Sequence, residues 1–143
     1  MVFADTSFLI SLYGMDVNTA AAKEQVSLRA LPIHITTVNE FEFANALRLL
    51  VFRGKIETAA SKTRMAAFES DKLEGHIVQT PCDTNQIFIK AASVSAAHTE
   101  SGGHRAYDIL QVAAALDSGA TEFWTFDERQ RTLAQAAGLI VGP

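Results

Sequence analysis

Five short apolar runs, separated by segments of helical composition, constrain this chain more than any other feature of its sequence. They are Val2-Phe3-Ala4, Ile33-His34-Ile35-Thr36, His76-Ile77-Val78-Gln79, Phe123-Trp124-Thr125-Phe126 and Leu139-Ile140-Val141. Their β-branched and aromatic content and turn-forming flanks read as strands. Between them, helical spacing runs over residues 18–29, 38–53, 56–73, 84–98, 106–116 and 128–137, and several of these segments stop at or near a glycine: Gly54, Gly75, Gly119 or Gly138. The alternation predicts an α/β fold, a central mostly parallel sheet of four to five strands with helices on both faces. In such a sheet, ligands bind beyond the carboxyl ends of the strands.

The length of 143 residues suits one domain, 1–143, and the 48% hydrophobic content supplies a core. That content excludes general disorder. The richest apolar stretch, residues 41–52, is interrupted by Glu42, Asn45 and Arg48, so no membrane span is expected. The opening residues lack the pattern of a secretory signal. Cys82 is the single cysteine, which excludes an internal disulfide framework and a cysteine zinc cluster and fits a cytoplasmic location. The net charge of −4 argues against a strongly basic nucleic-acid binder, yet Arg48, Arg53, Lys55, Lys62, Arg64 and Lys72 outnumber Glu57, Glu69 and Asp71 within residues 48–72.

Four acids stand in costly positions. Asp5 ends the first apolar run and is followed by Thr6 and Ser7; its simple role is to cap a helix over residues 7–13. Glu42 lies on a helix flanked by Phe41 and Phe43, where an ionised carboxylate costs several kcal/mol unless compensated. A rim position or an arginine partner would account for it without function. Glu40 projects to another side and reads as solvated. Asp108 opens a helix whose remaining face is almost wholly apolar apart from Gln111, and it complements the helix dipole. Asp127 follows the fourth run and forms a capping-box pattern with Gln130.

Together the four acids imply more than capping. Asp5 and Asp127 end strands, and Glu42 and Asp108 lie near helix starts, so a parallel sheet brings all four to one edge. Clustered carboxylates repel unless cations sit among them. Hard divalent ions such as Mg²⁺ or Mn²⁺ prefer oxygen ligands, and such a centre suits phosphodiester hydrolysis.

At this point the residues resemble a known family. Ala4-Asp5-Thr6-Ser7, Glu42-Phe43-Ala44-Asn45-Ala46-Leu47-Arg48, Tyr107-Asp108-Ile109-Leu110-Gln111 with the alanine run after it, and Thr125-Phe126-Asp127-Glu128-Arg129-Gln130 are similar, in order and spacing, to the PIN domain and to its VapC-type toxin ribonucleases of toxin–antitoxin pairs. The similarity spans essentially the whole chain. It implies a metal-dependent endoribonuclease with Asp5, Glu42, Asp108 and Asp127 as catalytic and metal-holding carboxylates, supported by Thr6, Ser7 and Thr125. It implies Mg²⁺ or Mn²⁺ as cofactor, RNA as substrate, a homodimer and an antitoxin partner. The preference for Glu42 over Glu40 rests on its place three residues before Asn45. Two departures are Tyr107, where an aliphatic residue is common, and Gln111, where histidine is frequent.

Arg48, Arg53 and Lys55, with Lys62 and Arg64, are candidate phosphate contacts that position RNA without reading sequence. His34, His76, His98 and His104 lack metal-site spacing and read as structural or surface groups, although His104-Arg105 stands just before Asp108. The stripe Phe41, Phe43, Leu47, Leu50 and Val51 reads as core or dimer contact. The competing reading of the whole chain is a PIN-like interaction module without nuclease activity. A receiver or aspartate-nucleophile phosphatase is disfavoured, because Ser7 stands where the phosphatase needs a second aspartate and the receiver's lysine is missing.

Overall fold

The computed structural model describes residues 1–14 and 16–143. Within them the chain forms β1 (Val2–Ala4), α1 (Thr6–Tyr13), α2 (Thr19–Arg29), β2 (Ile33–Ile35), α3 (Thr37–Phe52), α4 (Thr58–Leu73), β3 (Ile77–Gln79), α5 (Thr84–Gly102), α6 (Ala106–Asp117), β4 (Glu122–Trp124), α7 (Glu128–Ala136) and β5 (Ile140–Gly142). All five expected strands form. Every pairing is parallel, and the strand order is β3-β2-β1-β4-β5. The expected mostly parallel sheet is therefore wholly parallel.

β1 lies at the centre and is buried along its length. Side chains alternate across a strand, so Phe3 faces one side while Val2 and Ala4 face the other. Phe3 joins Phe123, Ile109, Val112 and Leu133 in a core beneath α5, α6 and α7. Val2 and Ala4 join Phe8, Phe43, Leu47, Phe68 and Trp124 in a second core beneath α1, α3 and α4. Helices thus cover both faces, as a buried parallel sheet requires. Of the apolar stripe on α3, Phe43 and Leu47 are buried, whereas Phe41 is exposed.

The one element that departs clearly from its expected bounds is α5, which runs four residues past His98. Nothing in His98-Thr99-Glu100-Ser101 breaks a helix, and the turn comes only at Gly103, whose φ of 64° is the left-handed conformation that glycine adopts freely.

The strand order fixes where a ligand can sit. From β1 the chain moves outward through β2 and β3, then crosses back to place β4 on the opposite side of β1. The gap between β1 and β4 is a topological switch point, and the crevice beyond the carboxyl ends of those two strands is the binding position of such a fold. Asp5 and Asp127 follow those two strands.

Candidate active site

Asp5 leaves β1 with its backbone N–H donated to the Trp124 carbonyl of β4 at 3.1 Å, which pins it at the switch point. Its carboxylate caps α1 by accepting the Phe8 N–H at 2.8 Å. It also accepts the Thr125 hydroxyl at 2.7 Å and the Ser7 hydroxyl at 2.8 Å. The capping role and the pocket position are therefore both real. Thr125 accepts the Asp127 N–H at 3.0 Å, and the Ser7 hydroxyl oxygen accepts the Phe126 N–H at 2.9 Å, so Thr125 and Ser7 tie the end of β4 to the start of α1. Asp127 in turn caps α7 through the Arg129 and Gln130 N–H groups.

Glu42 is half-buried on the second turn of α3 and finds hydrogen-bond donors rather than an arginine. The Thr6 hydroxyl donates to its Oε2 at 2.7 Å, and the Gln111 amide donates to the same oxygen. Gln111, fully buried on α6, also donates to the Thr6 hydroxyl and accepts from the Thr6 N–H and the Asn39 amide. Asn39 closes the set by donating to the Ala4 carbonyl at 3.2 Å and capping the start of α3 through Thr36. Buried polar groups of this kind hold position because each donor and acceptor is satisfied. Gln111 and Asn39 carry no charge and bind no ion in the sequence reading. Two signals pointed to Gln111: it is a polar residue on an otherwise apolar helix face, and it stands where histidine is frequent in the pattern the chain resembles.

Glu40 projects to another side of α3, as its helix phase suggested, and is partly exposed. It accepts from Lys72 of α4 at 2.8 Å, away from the pocket.

Asp5, Thr6, Ser7, Glu42, Asp108 and Asp127 all line one cavity of about 390 Å³. Gln111 and Gln130 form part of its wall, and so does Asp16, an acid with no local pattern to single it out. Asp16 is spoken for within the turn between α1 and α2. It accepts the Ser11 hydroxyl at 2.9 Å and the Asn18 N–H at 2.9 Å. Thr125 lies behind Asp5 as its support. Arg53 and Lys55 line an adjoining cavity, whereas Arg48 lines a separate one between α3 and α4. His104 and Arg105 do not line the acidic pocket.

The electrostatics of the pocket are those of charge held in too little water. Burial pushes the Asp5 carboxyl up to about 6, against the opposing hydrogen bonds from Thr125, Phe8 and Ser7, and the charge of Asp127 adds to the rise. Burial also raises the Asp108 carboxyl, opposed by the Arg105 backbone; Asp127 adds to the rise, while the charges of Arg105 and Arg129 oppose it. An all-oxygen donor set under mutual repulsion fits a hard divalent cation. Among the described residues, no three of these carboxylates bring ligand atoms within 4.8 Å of one another. An ion here would take one or two of them directly and reach the rest through water, the usual habit of Mg²⁺.

One group does meet that tighter spacing elsewhere. Asp71, Glu74 and His76, at the end of α4 and the turn into β3, bring ligand atoms within 4.8 Å of one another. His76, which read as a structural or surface group without metal-site spacing, lies 3.4 Å from Asp71. Asp71 also accepts the Tyr13 hydroxyl at 2.6 Å, and the group is largely exposed and does not line the pocket of the four acids.

The chain is similar to known proteins in family and fold. A family model described as PIN domain matches residues 2–136. Among solved structures, the toxin VapC20 of Mycobacterium tuberculosis, described as cleaving the sarcin-ricin loop, is 19% identical with a TM-score of 0.71, covering 98% of this chain and 97% of that one. VapBC2 from Rickettsia felis, bound to a DNA fragment from its promoter, is 12% identical with a TM-score of 0.67, covering 99% and 98%. PAE2754 from Pyrobaculum aerophilum is 19% identical with a TM-score of 0.62, covering 98% of this chain and 82% of that one. These likenesses are of fold. A search of curated proteins gives no match.

Proposed function

This chain belongs to the PIN domain family, and from that premise we propose that it is a divalent-metal-dependent endoribonuclease, the toxin of a toxin–antitoxin pair, acting as one domain in the cytoplasm. The reading is carried by one observation: Asp5, Glu42, Asp108 and Asp127, drawn from four elements, line a single pocket at the switch point of a parallel sheet. An inert module would gain nothing from gathering four like charges, because their repulsion only costs stability.

In this reading Asp5, Glu42, Asp108 and Asp127 hold Mg²⁺ or Mn²⁺. The ion supplies a polarised phosphodiester and an acidified water. The protein supplies position. Ser7 and Thr125 fix both oxygens of Asp5, and Thr6 with Gln111 fixes Oε2 of Glu42. Arg53 and Lys55 lie nearby to receive phosphate, and Arg48 sits on a different surface. The VapBC2 neighbour supports a second protein as partner, and a homodimer accords with the exposed Phe41 and Phe52 on α3. No helix among the described residues is long and apolar enough to cross a membrane.

The test is cleavage of RNA by the purified protein beside Asp108→Asn, with chelator and with Mg²⁺ or Mn²⁺ restored. Cutting should require the ion and fall by about 100-fold or more in the variant, beyond the 10–100-fold that outer partners of a metal cost. Cutting that survives both chelator and the substitution removes the proposal.

A further inference from the structure

The acidic pocket adjoins a second cavity. Ile10 and Asp16 line both, and the second, of about 570 Å³, is walled by Arg53, Lys55 and Arg64. Among the described residues none of these three cations has an ion-pair partner, whereas Arg29, Lys72 and Arg131 are each paired with a glutamate. Arg48 and Lys62, equally basic and close in sequence, line another cavity that shares no residue with either.

We propose that this second cavity is the groove that holds the RNA backbone on one side of the scissile bond, with Arg53, Lys55 and Arg64 on its phosphates. The proposal rests on the ribonuclease reading and adds a direction to it. A polyanion approaching a chain of net charge −4 meets an acidic pocket that repels it except where an ion sits. The flanking phosphates need fixed cations, and the adjoining cavity supplies three, unneutralised. Leu50 and Ile56 in the same wall give apolar surface for ribose and base. Asp16, locked by Ser11 and Asn18, marks the border between the ion-holding and the phosphate-holding halves. Phosphate contacts of this kind set register and orientation and carry no sequence information.

The test is binding of a fluorescent single-stranded RNA oligonucleotide to the full chain carrying Asp108→Asn, by anisotropy over a series of KCl concentrations. Arg53→Gln, Lys55→Gln and Arg64→Gln are added singly and together, with thermal melts to confirm folding. Each should lower the magnitude of the slope of log K against log salt by about 0.7, the value for one lost phosphate contact on a single strand. Lys23→Gln with Lys90→Gln, which removes two charges on α2 and α5, should leave that slope in place. An unchanged slope in the triple variant, or the loss appearing instead in Arg48→Gln with Lys62→Gln, overturns the proposal. Poly-glutamate is the second probe: binding that depends on the three cations for the peptide but not for RNA assigns the groove to an acidic protein segment and also overturns it. The ribonuclease reading fails separately, by the absence of ion-dependent cutting in the wild-type protein.

Discussion

Gln111 and Glu42 stand 69 residues apart in sequence, yet the amide of the first donates to Oε2 of the second, the oxygen that also takes the Thr6 hydroxyl at 2.7 Å. Through this contact α6, which carries Asp108, is registered against α3, which carries Glu42, and against the first turn of α1 beside Asp5. Gln111→Leu would leave the Thr6 N–H and the Asn39 amide buried without the acceptor they share, at a cost of about 1–3 kcal/mol. It would also free Glu42 to turn, lowering Mn²⁺ affinity by about 10–100-fold. Urea denaturation and Mn²⁺ titration of the same variant separate the two effects. Native ion affinity in a destabilised variant would reduce Gln111 to packing.

Glu40 and Glu42 offer an internal comparison. Glu42 lines the acidic pocket, and Glu40 accepts from Lys72 at 2.8 Å on another side of α3. Glu40→Gln should cost no more than about 1 kcal/mol of stability and leave RNA cleavage within twofold of wild type. Glu42→Gln should abolish cleavage while leaving the Lys72 pair intact. The reverse pattern would exchange their roles.

Asp5 makes the ion-free protein sensitive to pH in a defined direction. Its carboxyl is raised from 3.8 to about 6 in the folded state, chiefly by burial. Between those values the folded chain holds a proton that the unfolded chain has released. Its contribution to stability is therefore full below pH 3.8 and is lost as pH rises through about 6. The loss is on the order of 3 kcal/mol. Denaturation in chelator across this range should show the decline, and Asp5→Asn should flatten it. Divalent-ion affinity should run the opposite way, rising with pH up to about 6, because the ion binds the ionised carboxylate. A decline of equal size in the variant would contradict the assignment.

Thr125 joins the two strand ends. Its hydroxyl donates to Asp5 at 2.7 Å and accepts the Asp127 N–H at 3.0 Å. Thr125→Val removes both contacts. The Asp5 carboxyl should then titrate higher still, the protein should lose about 1–3 kcal/mol, and the pH profile of cleavage should move upward. Thr125→Ser should restore all three. A profile that stays in place in the valine variant would separate Thr125 from the site.

Much of this was legible in the residues themselves. The five apolar runs became the five strands because β-branched and aromatic residues bounded by turns have little alternative, and Asp5 and Asp127 could be read because each ends such a run. Gly54, Gly75, Gly119 and Gly138 follow helices because each takes a positive φ. What sequence could not supply was long-range partnership. Nothing local to Gln111 or Asn39 shows that they meet, and nothing local to Glu40 shows Lys72 beside it. Arg48 and Arg53 line different cavities for a simpler reason. Five residues advance a helix by about 500°, leaving the two roughly 140° apart and on different surfaces, while Arg64 of α4 faces the cavity that Arg53 lines. His76 near Asp71 and Glu74 also depended on a turn whose course no spacing rule revealed.

The central claim is that an ion binds among Asp5, Glu42, Asp108 and Asp127 and not at the exposed Asp71, Glu74 and His76 group. Titration of the chelator-treated protein with Mn²⁺ by calorimetry decides between them. The expected result is one site that is lost in Asp5→Asn and in Asp108→Asn and kept in Asp71→Asn with His76→Ala. Binding that survives both pocket substitutions and vanishes with the Asp71 and His76 pair would contradict it.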